Sequence, residues 1–202
     1  SDLWATAAST IQDAVDAAAP GGVVMVADGV YARGGRPTPA ALLTNRVVLQ
    51  GDVTVRSANG PAAALILGAP DAVSGGLGAQ AVRGVWMDAG VLIGFTVSNG
   101  HTATAGNDYL DRAGGGIGAF GAQPVVSNCV IIGCSSSAYG GGASWGSMWD
   151  CRILSNDTGW GSGGVYDGAG GGSYGGLRVG CAIAGNVALL SGGGGFRRHA
   201  GR

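Results

Sequence analysis

Apolar residues in this chain come in short runs, separated by glycine clusters and seldom by helical spacing. One segment is the exception. Over residues 6–19, Ile11, Val15 and Ala18 or Ala19 form a stripe at helical spacing, with Ser9 or Thr10 placed to cap it. Pro20-Gly21-Gly22 ends that predicted helix. Val23-Val-Met-Val-Ala27 follows as an unbroken, mostly β-branched run and predicts a buried strand. Further strands are predicted at 47–51, 53–57, 64–67, 82–86 and 91–97. Between them lie loops at 33–40 and 68–80 and a polar insertion at 99–113. From Gly114 onward short strands alternate with glycine clusters.

Within that last part the pattern repeats. Asn128-Cys129-Val-Ile-Ile-Gly-Cys134, Asp150-Cys151-Arg-Ile-Leu-Ser-Asn156 and Gly180-Cys181-Ala-Ile-Ala-Gly-Asn186 share Cys, then Ile two residues on, then Cys or Asn five residues on. Cys129 to Cys151 is 22 residues and Cys151 to Cys181 is 30. A repeat near 22 residues built of short strands points to a solenoid whose rungs stack about 4.8 Å apart. Cys129, Cys151 and Cys181 then form an inward column. Cys134, Asn156 and Asn186 form a second column at a turn. A leucine-rich repeat is the rival fold, but Gly-Gly-Gly stands where its helix would run.

Composition removes other classes. Glycine is 43 of 202 residues, without the strict third-residue period of collagen, and 46% hydrophobic against 11% charged residues excludes a disordered chain. The fold class is therefore all-β, with the helical cap at 1–22, rungs at 23–196 and a tail at 197–202 in one domain. Net charge is −1, which gives no electrostatic footprint for nucleic acid. No apolar run reaches the ~18 residues of a membrane span. Every acid is Asp and there is no Lys, so Schiff-base lysine and glutamate acid chemistry are absent.

The residues from Thr10 to Tyr31 resemble the N-terminal cap and first strand of pectate-lyase-like right-handed parallel β-helix proteins. Val55-Arg-Ser-Ala-Asn-Gly-Pro61 and Val91-Leu-Ile-Gly-Phe-Thr-Val-Ser-Asn-Gly100 resemble the following rungs of bacterial members. The Asn-Cys and Gly-Gly-Gly repeats resemble their middle rungs. The resemblance spans roughly residues 4–196. It implies a right-handed parallel β-helix and a setting outside the cell or on its surface. It does not fix an activity, because this fold hosts lyases, hydrolases, adhesins and binding proteins. Lyases of the fold use Ca²⁺-binding carboxylates with a basic residue, and hydrolases use grouped Asp residues. Neither set matches this sequence residue for residue. Phe196-Arg-Arg-His-Ala-Gly-Arg202 forms no derivable cap, so the open end is expected to pair with another chain or stay an exposed edge.

Three groups of residues can carry chemistry. The cysteines can bind zinc or form disulfides, or simply stack as small apolar thiols. In the insertion, His101, Asp108, Asp111 and Arg112 stand within twelve residues. There Asp108 or Asp111 would serve as base or metal ligand, His101 as proton carrier and Arg112 as anchor for an anionic group. The alternative is a solvated polar loop. Aromatic residues crowd the last third as Tyr139, Trp145, Trp149, Trp160, Tyr166 and Tyr174. Set beside turn glycines, they are expected to face outward as a sugar-stacking strip, with Trp145, Trp149, Trp160 and Tyr166 as ligand-binding residues. The alternative is that the rings cover the corners around them. Asp150, Asp157 and Asp167 lie nearby and can orient hydroxyls or hold Ca²⁺, the one cofactor the sequence admits. The expected function is a polysaccharide-binding module that can also cleave its ligand as a lyase or hydrolase. A structural or adhesive solenoid is the alternative, as is a hydrolase of unnamed substrate.

Overall fold

The computed structural model describes residues 8–120, 123–159 and 168–196. Its strands stack into three long sheets. The first holds Val23–Val26, Thr54–Ser57, Val91–Ile93, Val125–Ser127, Ser147–Trp149 and Leu177–Val179. The second holds Gly29–Tyr31, Ala64–Leu67, Thr96–Ser98, Val130–Ile132, Arg152–Leu154 and Ala182–Ala184. The third holds Thr44–Leu49, Val82–Met87, Ile117–Ala119, Ala143–Ser144, Ser173–Tyr174 and Gly195–Phe196, with Arg36–Pro37 antiparallel at its start. A shorter fourth sheet of Ser135–Ser136, Asp157–Thr158 and Val187–Ala188 lies between the second and third. Apart from Arg36–Pro37, every strand pairs in parallel with its equivalent one rung away. The chain is a right-handed parallel β-helix with an N-terminal helical cap. The leucine-rich alternative falls, since Ile11–Ala17 is the one helix among the described residues.

Glycine and small polar residues set the corners. Between the first and second sheets, Gly94, Asn128, Asp150 and Gly180 take positive φ of 78°, 49°, 53° and 62°. The next residue of each, Phe95, Cys129, Cys151 or Cys181, turns into the core. Val91–Val97, expected as one strand, is therefore broken at Gly94 into two. The second corner repeats the device with Asn99, Gly133, Ser155 and Gly185. Behind it Asn156 Oδ1 accepts from Cys134 N at 3.0 Å, and Asn186 Oδ1 accepts from Asn156 N at 2.9 Å. Their Nδ2 groups donate back to the Ile131 and Ile153 carbonyls, so the amides run as a ladder along the axis.

Inside, Val55, Leu92, Val126 and Met148 face Ile66, Val97, Ile131 and Ile153 across the bore, with Val85, Ile117 and Ala143 as the third wall. Each large apolar side chain buried this way contributes roughly 1.5–3 kcal/mol. Val23–Val26 does not match its expected burial. Val24 and Val26 point inward, but Val23 and Met25 are 61% and 48% exposed, because the outer face of the first sheet meets solvent. The cap is also shorter than expected. Thr10, in extended geometry, accepts from Asp13 N at 3.1 Å and starts the helix at Ile11. The helix closes by Ala18 because Pro20 disfavours helical backbone at the residue before it. Gln12 then does the capping: its amide bonds both N and O of Val48, as a further strand would.

All four cysteines are free. Cys129, Cys134 and Cys151 are buried, and Cys181, on the last rung, is half-buried. Burial pushes the Cys129 thiol well up and Cys134 to about 12, as expected for apolar packing groups.

Loop 68–80 hangs on one carboxylate. Asp71 accepts from Val73 N, Ser74 N and Gln80 N at 2.8, 2.9 and 2.6 Å. The Ser74 bond, then those of Gln80 and Val73, hold its carboxyl below the ordinary range. Its stabilising effect is fully present above the ordinary ~3.9 and is lost as pH falls through the lowered folded value. Amide exchange of residues 73–80, corrected for intrinsic rates, is expected to accelerate below about pH 4 while that of Leu92 and Ile131 does not. Equal protection of the loop at acid and neutral pH would refute this. Among the described residues no helix is long and apolar enough to cross a membrane.

Candidate functional site

Rung length varies mainly between the second and third sheets, and the extra chain forms a second layer on that flank. The centre of the layer is Arg83, missed in the sequence reading. It is completely buried, and all five N–H groups have partners: Gly114 O, Leu110 O, Ala113 O, Thr38 Oγ1 and Asn45 Oδ1, at 2.8–3.2 Å. Gly118 makes room for it, since a Cβ there would stand 2.9 Å from the Arg83 Nε. Burial pushes its pKa down to about 9, against the opposing charge of Asp111, so it stays a cation at neutral pH. The signal in the sequence was a lone arginine inside the apolar strand Val82–Met87.

Arg83 fixes the inner part of the insertion, and Asp111 fixes the rest. Asp111 was expected at a reacting centre. It is instead buried, with Oδ1 accepting from Leu42 N and Leu43 N at 2.9 and 3.0 Å and Oδ2 from Asn107 N at 2.9 Å. Asn107 Oδ1 accepts from Tyr109 N and Leu110 N. Arg112 is buried as well; it ion-pairs with Asp108 at 2.5 Å and donates from Nε to Ser137 Oγ at 3.3 Å. The anionic anchor assigned to Arg112 is thus filled by Asp108 of the same insertion. His101 stands at the insertion's root, beside Ser135, its Nδ1 3.0 Å from the Asn99 carbonyl. Asp108 stands at the tip, with its side chain 45% exposed. Among the described residues no hydrogen bond joins His101 to an acid. Ser135 Oγ donates to Asp157 Oδ2 at 2.8 Å on the next rung. The insertion is therefore built into the fold, with residues 104–109 as its outer part.

That fixed tip meets the aromatic residues, which the sequence placed in a separate group. Tyr109 stacks on Tyr139 at 5.6 Å between ring centres and meets Trp145 edge-on at 6.4 Å. Tyr139 stacks on Tyr174 at 4.5 Å, and Trp145 packs edge-on to Tyr174 at 6.1 Å. Tyr139 and Tyr174 are buried, which corrects the expectation that they face outward. They form the base. Tyr109, 39% exposed, and half-buried Trp145 lie above them at the surface. Trp149 is exposed on the outer face of the first sheet, in register with Ser127 and Val179, away from this cluster. Trp160, Tyr166 and Asp167 lie outside the described residues. The site so built is a two-ring surface on a rigid aromatic base, with the Asp108–Arg112 ion pair held by the same insertion.

Solved structures share this architecture. A pectin methylesterase mutant in complex with a hexasaccharide superposes with a TM-score of 0.53 at 15% identity, over 91% of this chain and 55% of that one. At that identity the likeness shows the fold. A pectin methylesterase from Erwinia chrysanthemi aligns at a TM-score of 0.45 and 16% identity, over 75% of this chain and 46% of that one, and carries no further argument. This chain spans about half the length of either structure. No protein-family model matches the sequence, and neither does any curated protein.

Proposed function

We propose that this chain binds polysaccharide, with Tyr109 and Trp145 stacking against sugar faces. The observation that carries the reading is exposed Tyr109 beside half-buried Trp145, both resting on buried Tyr139 and Tyr174. Rings fixed in advance lose little conformational freedom on binding, which favours a flat, hydroxyl-rich partner. The fold likeness to a methylesterase solved with a hexasaccharide makes pectin the first polymer to test. With a polymer of that kind as partner, we infer a setting outside the cell or on its surface. Catalysis, where present, would fall to His101 and Asp108, with Arg112 orienting Asp108 through their ion pair.

Isothermal titration with pectin and neutral galactan fragments tests the reading. Removing a central aromatic contact costs roughly 2 kcal/mol, about 30-fold in Kd. Tyr109→Ala and Trp145→Ala are each expected to weaken binding by that order, with circular dichroism unchanged. Trp149→Ala is expected to leave affinity as it was. Affinities within twofold of the parent for both ring variants would exclude this surface. If hydrolysis or elimination is detected, His101→Ala or Asp108→Asn should slow it by roughly 10²–10⁴-fold. A structural or adhesive solenoid would bind none of these polymers.

A further inference from the structure

The four rings are set at fixed angles to one another. Tyr109 belongs to the rung before Tyr139, and Tyr174 to the rung after it. The three tyrosines stack from rung to rung, with successive planes 24° and 27° apart. Trp145 stands beside this column, inclined at 64° to Tyr109 and 79° to Tyr174. Both surface rings are anchored. Tyr139 takes up one face of Tyr109, whose backbone N–H donates to Asn107 Oδ1 at 2.9 Å. Trp145 turns a corner with φ of 56°. Its N–H donates to the Tyr174 carbonyl at 2.8 Å, and its carbonyl accepts from Arg178 Nη2 at 3.1 Å. Gly175, on the next rung, leaves room for the indole, since a Cβ there would stand 3.0 Å from it.

This angle restricts the shape of a glycan that can use both rings. Sugars stack on aromatic rings face to face, and the centres of Tyr109 and Trp145 are 6.4 Å apart, a spacing suited to neighbouring sugars of one chain. Where every linkage is equatorial, as in cellulose or mannan, successive sugars are related by a half turn and their faces stay nearly parallel. Such a flat ribbon can lie on one of the two rings and misses the other. An axial linkage tilts each sugar steeply against the last, and a chain of that kind offers neighbouring faces at an angle. We infer, on the polysaccharide reading of this surface, that the site selects axially linked, turning polysaccharides over flat ribbons. Because the rings are held in advance, the cost of any misfit falls on the ligand, and the preference is read as a difference in affinity.

Calorimetric titration of the full chain with linear hexasaccharides tests the preference. Maltohexaose, a galactan hexamer and a galacturonan hexamer carry axial linkages, whereas cellohexaose and mannohexaose are flat. Maltohexaose and cellohexaose share one monomer and differ in linkage alone. The tightest axially linked chain is expected to bind about 30-fold more tightly than either flat chain, the worth of one central aromatic contact. Tyr109→Ala and Trp145→Ala should each weaken that chain by the same order, while at most one of them should weaken a flat chain. A flat chain that binds within twofold of the tightest axial one overturns the inference. If both ring substitutions also weaken that flat chain, the surface is still a glycan site and only the preference for a turning chain falls. If no hexasaccharide binds, or neither substitution weakens any of them, the polysaccharide reading falls as well. Should a ring variant fail to fold, the parent's affinities for the two kinds of chain decide.

Discussion

Arg83→Met is expected to destabilise the protein by about 3–5 kcal/mol in urea unfolding, among the larger effects a single change produces. Two effects oppose each other. Methionine fills much of the volume and removes a cation whose burial is itself costly, which favours the variant. Against this, the carbonyls of Gly114 and Ala113 and Asn45 Oδ1 are left buried without another donor among the described residues, while Thr38 Oγ1 keeps Asn45 Nδ2 and the Leu110 carbonyl keeps Thr38 Oγ1. Each such orphan costs roughly 1–3 kcal/mol, so the loss outweighs the relief. Arg83→Lys should recover only part of the stability. An ammonium has three donors, without the planar fork that reaches both sides of the site. Because these acceptors belong to the insertion and to residues 38–45, proteolysis of the variants should begin there. A midpoint shift equivalent to less than about 1 kcal/mol for Arg83→Met would show that backbone packing holds the layer without the arginine.

Gly141→Ala should be as severe, for a steric reason. Gly115, Gly141 and Gly171 are the middle residues of successive Gly-Gly-Gly corners. A methyl group on Gly141 would overlap the carbonyl oxygens of Asp157 and Gly171. Both oxygens belong to backbone, which cannot yield as a flexible side chain would. A loss of about 3–5 kcal/mol or failure to fold is expected. Gly133 gives the contrast. It has φ of 62°, but a Cβ there meets nothing within 4 Å, and Asn99 and Ser155 already occupy equivalent corners at 53° and 50°. Gly133→Asn should therefore stay within about 1 kcal/mol of the parent, since asparagine tolerates the left-handed region. Similar midpoints for the two glycine variants would refute the distinction between close approach and backbone angle.

The rungs could be read in the sequence because stacking repeats a local demand. Each Cys-x-Ile-x-x-Asn turn must place an inward thiol, an inward isoleucine and an axial amide, so Cys151, Ile153 and Asn156 carry their phase in their spacing. Gly94 was misread because its rung puts Phe95 where the later rungs have Cys, which hid the corner inside an apolar run. The site was harder. Asp111 and Arg112 look reactive in sequence, and only the fold shows that one carboxylate is taken up by N–H groups of residues 42, 43 and 107. Tyr109 and Tyr139 are thirty residues apart along the chain, and no period links them. They meet because the second layer folds across the rungs instead of along them.

The placement of the length differences has a consequence for how such a chain can change. The first-to-second corners of the last four rungs are two residues long, as at Asn128-Cys129 and Asp150-Cys151. One residue gained or lost there would turn the following strand inside out. The segment between the second and third sheets obeys no such frame, as Ser98 to Ile117 and Ile132 to Ala143 already differ widely. Duplication of a 22-residue unit such as 125–146 would lengthen the rod without altering its cross-section, while new loops grafted at 104–109 would change the surface around Tyr109. Length and surface chemistry can thus evolve as separate variables.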